Sequence, residues 1–365
     1  MFSEDESKAF ESQLNIMQGN NIYEARYKEN GEERSIYFLK DFNRLELTIF
    51  VPYDVRILNL RVVPILSDVL DTLWNSVKII GGGPNLVEIH NILKSISAKE
   101  LELNDVNVEN VLIASSVYKF GVQLEKLDVS WTQQCKNLED ISEMFMDVKV
   151  DKIDISKLNS KHVKYMNSLF RECKSDLIGT MNTSKLEHAN GMFHNYGNIN
   201  YSSDKYKPKR TLDLRWMNTN KLVYAGDMFY GCTYDEIILL GWNTEQVRDT
   251  SQMFRDVKAN IIGLNDMSLN NVACSSAMFK DSMIFNTTVE LNSNFEYIER
   301  CDYMFNGTTA VFVDMRHATK LSKTAVIDKM FTFYEIKQLI LRKEQERFRN
   351  QAMNYWDVAE ALVLS

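Results

Sequence analysis

The chain has 365 residues, of which 45% are hydrophobic and 25% charged, a composition that excludes disordered, collagenous and small disulfide-stapled proteins. Its 42 basic and 50 acidic side chains leave a formal charge of -8 and a pI near 5.4, which opposes nonspecific attraction to nucleic acid or anionic lipid over the whole surface. With only 14 Gly and 4 Pro, turns must draw on other residues, and Asn can supply them.

In chain order, the opening Met1-Phe2-Ser3-Glu4-Asp5-Glu6 is acidic where an export signal needs basic charge, and no run of about 18 apolar residues follows. The expectation is a chain without signal peptide or transmembrane segment, cytoplasmic or virion-associated. Ser3 and Glu6 form a capping-box pattern ahead of Phe10, Leu14 and Met17, which share a helix face. Tyr23 to Tyr27 and Ile36 to Leu39 flank Asn30-Gly31, a hairpin signal. Residues 1–55 therefore read as an N-terminal cap or a small α+β module. Gly81-Gly82-Gly83-Pro84 follows the apolar Val77 to Ile80, but no Lys-Ser/Thr closes a phosphate loop, so a turn is predicted. Ile57 to Trp74, and Leu101-Glu102-Leu103 followed by Phe120, carry worn marks of a pattern that becomes regular further on. Residues 56–123 read as degenerate repeats.

From residue 124 to 341 the pattern is regular. A pair ending in Phe recurs at Phe145, Phe170, Phe193, Phe229, Phe254, Phe279, Phe305 and Phe331, with spacings of 25, 23, 36, 25, 25, 26 and 26. Seven residues before the Phe stands an aliphatic side chain in seven of the eight units, as in Leu138, Val163 and Val247. Val247, Thr250, Met253 and Phe254 are spaced 3, 4 and 7 apart, which predicts a short amphipathic helix. Upstream of it lies an alternating couplet such as Leu127/Val129, Ile153/Ile155, Leu212/Leu214, Ile262/Leu264, Val289/Leu291 or Val313/Met315, which predicts a short strand. A unit of about 25 residues cannot bury its own apolar face and must stack on its neighbours, so the fold predicted is a solenoid.

These residues resemble the BspA-like leucine-rich repeat family, whose repeat runs as a strand, Trp-x-Thr-x-x-Val, four to five residues, then Met-Phe and a nearby Cys. Leu240-Gly241-Trp242-Asn243-Thr244-Glu245-Gln246-Val247 leading to Met253-Phe254 carries the match, as does Leu214-Arg215-Trp216 leading to Met228-Phe229-Tyr230-Gly231-Cys232. The resemblance implies an α/β, leucine-rich-repeat-like solenoid, with a parallel sheet on one face and short helices on the other. It also implies an interaction role. The expected function is a nonenzymatic module that binds a protein partner. Its alternative is a structural component of a larger assembly, such as a virion or envelope-associated particle, contacting neighbours through Met1 to Val51 and Arg342 to Ser365.

The 36-residue interval holds an insertion near Tyr196 to Arg210. It interleaves Tyr196, Tyr201 and Tyr206 with Lys205, Lys207, Lys209 and Arg210, a mixture suited to an acidic protein patch, to nucleic acid less readily given the acidic remainder, or simply to solvent. Asp128, Asp154, Asp213, Glu290 and Asp314 fall on the outward strand position, where they either meet a basic partner on a concave sheet or bond locally to the backbone. No HExxH or CxxC stands in the chain, and neither metal, cofactor nor catalytic residue is assigned. Cys173 and Cys232, at one repeat position, read as inert core thiols. Residues 342–365 read as a capping helix, with Phe348, Ala352, Tyr355 and Trp356 on one face.

Overall fold

The computed structural model describes residues 22–29, 31–197, 210–291, 293–331, 335–355 and 362–364. The helix expected at Phe10, Leu14 and Met17 lies outside them, as does Trp356. The chain divides into two compact units, one of Met1–Tyr165 with Cys173–Asn182 and one of Met166–Glu172 with Thr183–Ser365.

In the first unit, β1 (Ile22–Glu29), β2 (Glu32–Asp41) and β3 (Glu46–Val51) form an antiparallel meander. The first turn follows the predicted hairpin, with Glu29 opposite Glu32 and Gly31 at φ 89°. The meander continues without a break into parallel pairing of β3 with the strands Ser76–Gly81 and Leu101–Val106, so one sheet joins residues on both sides of position 55. Its alternating apolar residues, among them Ile36, Phe38, Leu47, Ile49, Val77 and Ile79, are buried, as the period of two requires. Beside it, parallel bridges link Glu88, Ile113, Asp140 and Tyr165 in successive coils.

In the second unit seven strands pair in parallel: Thr211–Asp213, Thr233–Ile238, Lys258–Ile262, Met283–Glu290, Thr309–Asp314, Glu335–Leu341 and Leu362–Leu364. Leu212, Ile237 and Ile261 are register partners, as are Val289, Val313 and Leu339, and all six are buried. One couplet is shifted from the expectation: Ile261 rather than Ile262 faces inward, because Gly263 at φ 88° intervenes before Leu264. Each coil is one parallel strand with turns, and the architecture is a parallel-sheet solenoid with few helices.

The helices expected at each Met-Phe are replaced by turns. The residues two before and two after the Phe are left-handed in every coil from Phe145 to Phe305, for example Gln252 (φ 54°) and Asp256 (φ 55°) around Phe254. This alternation sends every second amide along the solenoid axis. Thr250, Gln252, Phe254 and Asp256 donate to the carbonyls of Cys274, Ser276, Met278 and Lys280 in the next coil, at 2.8 to 2.9 Å, while Met253 and Arg255 close three-residue turns within their own coil. A helix would turn all these amides inward upon itself. The ladder leaves the backbone paired where a helix face would have stood.

A second correction concerns the worn unit. Tyr118, not Phe120, occupies the Phe place: it lies between left-handed Ser116 and Phe120, is buried, and stacks on Phe145 at 5.8 Å. In the second unit the rings of Phe170, Phe193, Phe229, Phe254, Phe279, Phe305 and Phe331 stack in sequence at 5.3 to 6.0 Å. At the end of that stack Phe348, on the helix Glu346–Tyr355, meets Phe331 and Phe295 edge-on at 6.1 and 5.9 Å.

Buried hydroxyls form a parallel column. Thr183, Thr219 and Thr244 accept the amides of Asn218, Asn243 and Ser268 in the following coil, at 2.6 to 2.8 Å, and the Asn218 and Asn243 side chains cap the amides two residues on. The Thr of Trp-x-Thr is thus an internal acceptor and the Asn a turn former, the work that scarce Gly and Pro would otherwise do.

Candidate interaction surface

The insertion leaves the coil of Phe193 and rejoins ahead of the coil of Phe229. Its described ends are Tyr196, Gly197 and Arg210; Tyr201, Lys205, Tyr206, Lys207 and Lys209 lie outside the described residues. The two ends meet at Tyr234, whose ring stacks with Tyr196 at 6.1 Å and lies under the Arg210 guanidinium at 4.6 Å. Arg210 Nη1 donates to the Gly197 carbonyl at 2.7 Å, and the Arg210 amide donates to the Asp235 carboxylate at 2.7 Å. Tyr196 is buried against Phe170 and Phe193, so it anchors the root while Arg210 closes it. Beneath, the Cys232 thiol donates to the Phe193 carbonyl at 2.9 Å, and burial pushes its pKa up to about 12. Cys173 is likewise buried and raised to about 11. Both are protonated, inert thiols at neutral pH.

In five successive coils the position after the Phe is partly exposed and carries Arg171, His194, Tyr230, Arg255 and Lys280. His194 and Tyr230 stack at 4.5 Å with 11° between planes, and Arg255 lies over Tyr230 at 5.3 Å. Five residues before the Phe, His188 and Tyr224 form a second stack at 4.7 Å. Burial, then the nearby Arg171 charge, hold the His194 pKa below its ordinary value, which keeps the ring neutral in the stack. Burial and the charge of Asp249 push the Asp227 carboxyl up. Sequence reasoning passed over this column. Its signal was the register after Phe, where aromatic and cationic residues recur at repeat spacing.

The five predicted outward acids fall in both units. Asp128 and Asp154 belong to the first unit, and Asp213, Glu290 and Asp314 to the second. Asp154 pairs opposite Ile178 and Asp213 opposite Ile238; Glu290 and Asp314 are register partners. Asp128 and Asp154 accept the amide and hydroxyl of Ser130 and Ser156. Asp213 and Asp314 accept both the amide and the guanidinium of Arg215 and Arg316. These local bonds hold the carboxyls of Asp154 and Asp213 below the usual range, the hydroxyl of Ser156 and the guanidinium of Arg215 being the main causes. Each such Asp closes a turn onto the residue two positions ahead.

Among the described residues no group of three or more His, Cys, Asp or Glu is placed to hold a metal ion, and no helix is long and apolar enough to cross a membrane. Comparison with the curated proteins found no match. A family model described as Mycoplasma protein of unknown function, DUF285, matches twice in tandem, over residues 87–206 and 204–318. Those matches cover most of the repeats, and the chain belongs to the DUF285 family.

Proposed function

We propose that this chain is a protein-interaction module of BspA-like leucine-rich-repeat type, engaging a protein partner through its sheet face and the insertion at 196–210. The observation that carries this reading is the root of that insertion, fixed on Tyr234 between coils that present Tyr230, His194 and Arg255 outward. Tyr and Arg held rigid before binding lose little freedom on complex formation and commonly dominate interfaces. The helix Glu346–Tyr355 closes the ring stack through Phe348, and is read as a cap.

The test replaces residues 198–209 by a short Gly-Ser linker, leaving Gly197 and Arg210 in place. The intact chain is expected to capture a reproducible protein from its native source that the replaced chain, with the same unfolding temperature, loses. Equal capture by both would remove the insertion from the interface. Size exclusion and cross-linking of the purified chain address the alternative, since a fixed stoichiometry in a self-assembled particle would favour a structural subunit.

A further inference from the structure

In the first unit, three side chains of adjacent coils form a hydrogen-bonded chain from a hydroxyl through an imidazole to a carboxylate. Glu88 and His90 share one face of the strand Glu88–His90, two residues apart, and Glu88 bridges in parallel to Ile113, which puts Ser115 beside His90. His90 Nε2 lies 2.8 Å from Glu88 Oε2, and His90 Nδ1 lies 2.6 Å from Ser115 Oγ. A carboxylate only accepts, so the neutral ring carries its proton on Nε2 and turns the Nδ1 lone pair to the Ser115 hydroxyl. All three residues are partly exposed.

A second feature belongs to the same serine. Ser142 and Ser251 hold the equivalent place in later coils, and there the serine amide donates to Asp140 or Asp249 two residues before it. In the coil of Ser115 that residue is Ile113, whose side chain offers no acceptor, and among the described residues the Ser115 amide has no acceptor. A free N–H beside the hydroxyl oxygen is one donor of the kind that stabilises a developing oxyanion. We propose that Ser115, His90 and Glu88 form an acyl-transfer site acting on activated carboxylic esters.

The chemistry closes. Ser115 Oγ bonds to the ester carbonyl carbon as His90 Nδ1 takes the hydroxyl proton. The tetrahedral intermediate, its oxyanion held by the Ser115 amide, expels the alcohol, which leaves with that proton. Water, deprotonated by His90, then splits the acyl-serine into carboxylic acid and free Ser115. Glu88 is a positioning residue that fixes the ring tautomer and supports the imidazolium.

The test uses the full chain and a fluorophosphonate probe, whose phosphorus Ser115 Oγ attacks with loss of fluoride, followed by peptide mapping. The expected result is an adduct concentrated on Ser115, formed roughly 100-fold more slowly in His90→Gln. Glu88→Gln is expected to slow labelling and Glu88→Asp to restore part of the rate, because a carboxylate at that place only accepts from Nε2 whereas an amide can also present a donor to it. An adduct absent from Ser115, or formed there no faster than on other exposed serines, would overturn the site. Because that comparison is made within the intact chain, it holds even if a variant misfolds. It is also independent of the insertion, which lies in the other unit.

Discussion

Asp227 occupies a left-handed position (φ 55°) two residues before Phe229, where L side chains pay steric strain and Asp, Asn and Gly pay least. Its carboxyl is also held neutral-leaning: burial and Asp249 raise the pKa above its ordinary value. A carboxyl whose native pKa exceeds its unfolded pKa contributes stability in full below the unfolded value, 3.8, and loses it as pH rises through the native value. At neutral pH the ionised group therefore costs the folded state. Asp227→Asn keeps the backbone preference and removes the charge. The variant is expected to melt higher than the parent at pH 7 and to converge with it near pH 3; equal differences at both values, read by thermal unfolding, would refute the electrostatic cause.

At the scale of the element, the strand and the Phe were legible and the helix was not, for one physical reason. Spacings of 3, 4 and 7 describe a helix face, but they also describe inward positions of a chain that alternates right- and left-handed turns. Thr250, Met253, Phe254 and Val257 are buried in such turns. The distinguishing mark was present two residues after the Phe in six of the seven coils: Asp147, Asn195, Gly231, Asp256, Asp281 and Gly307 are of kinds that tolerate positive φ, and Glu172 alone is not. Tyr118 was missed as a ring of the ladder because it is not Phe, though its flanks are left-handed too. The insertion was legible as an interval in the spacing, whereas the His194–Tyr230 and His188–Tyr224 stacks depend on coil register, which a single unit does not reveal. The ring ladder makes a graded prediction. Phe254, stacked on both sides at 5.4 and 5.5 Å, should cost about 3–5 kcal/mol as Phe254→Ala. Phe348→Ala, which uncovers one edge of the end ring, should cost less by denaturant unfolding. Equal losses would mean that the rings do not act as a stack.

At the scale of the whole molecule, a solenoid's stability is close to a sum of coil and nearest-neighbour terms, so the chain should tolerate losing a whole period and not a fraction of one. Removing Val247–Asn271, 25 residues, joins Gln246 to Val272, a residue equivalent to Val247 in the repeat. Phe279 then follows Phe229, each amide that donated to Cys274, Ser276, Met278 or Lys280 is removed with its coil, and Ala225, Asp227, Phe229 and Gly231 find those same carbonyls in turn. Removing only Val247–Lys258 instead takes one Phe and its turns but leaves the next strand half a coil out of step. The hydrophobic positions would then face outward and the hydroxyl column from Thr219 to Thr244 would lose its acceptor geometry. The 25-residue deletion is expected to stay folded, with a parallel-sheet circular dichroism spectrum and a transition at lower temperature. The 12-residue deletion is expected to be cleaved readily in limited proteolysis. If both deletions unfold alike, the stacking is not additive, and the coils of the second unit must be held by contacts of longer range than their neighbours.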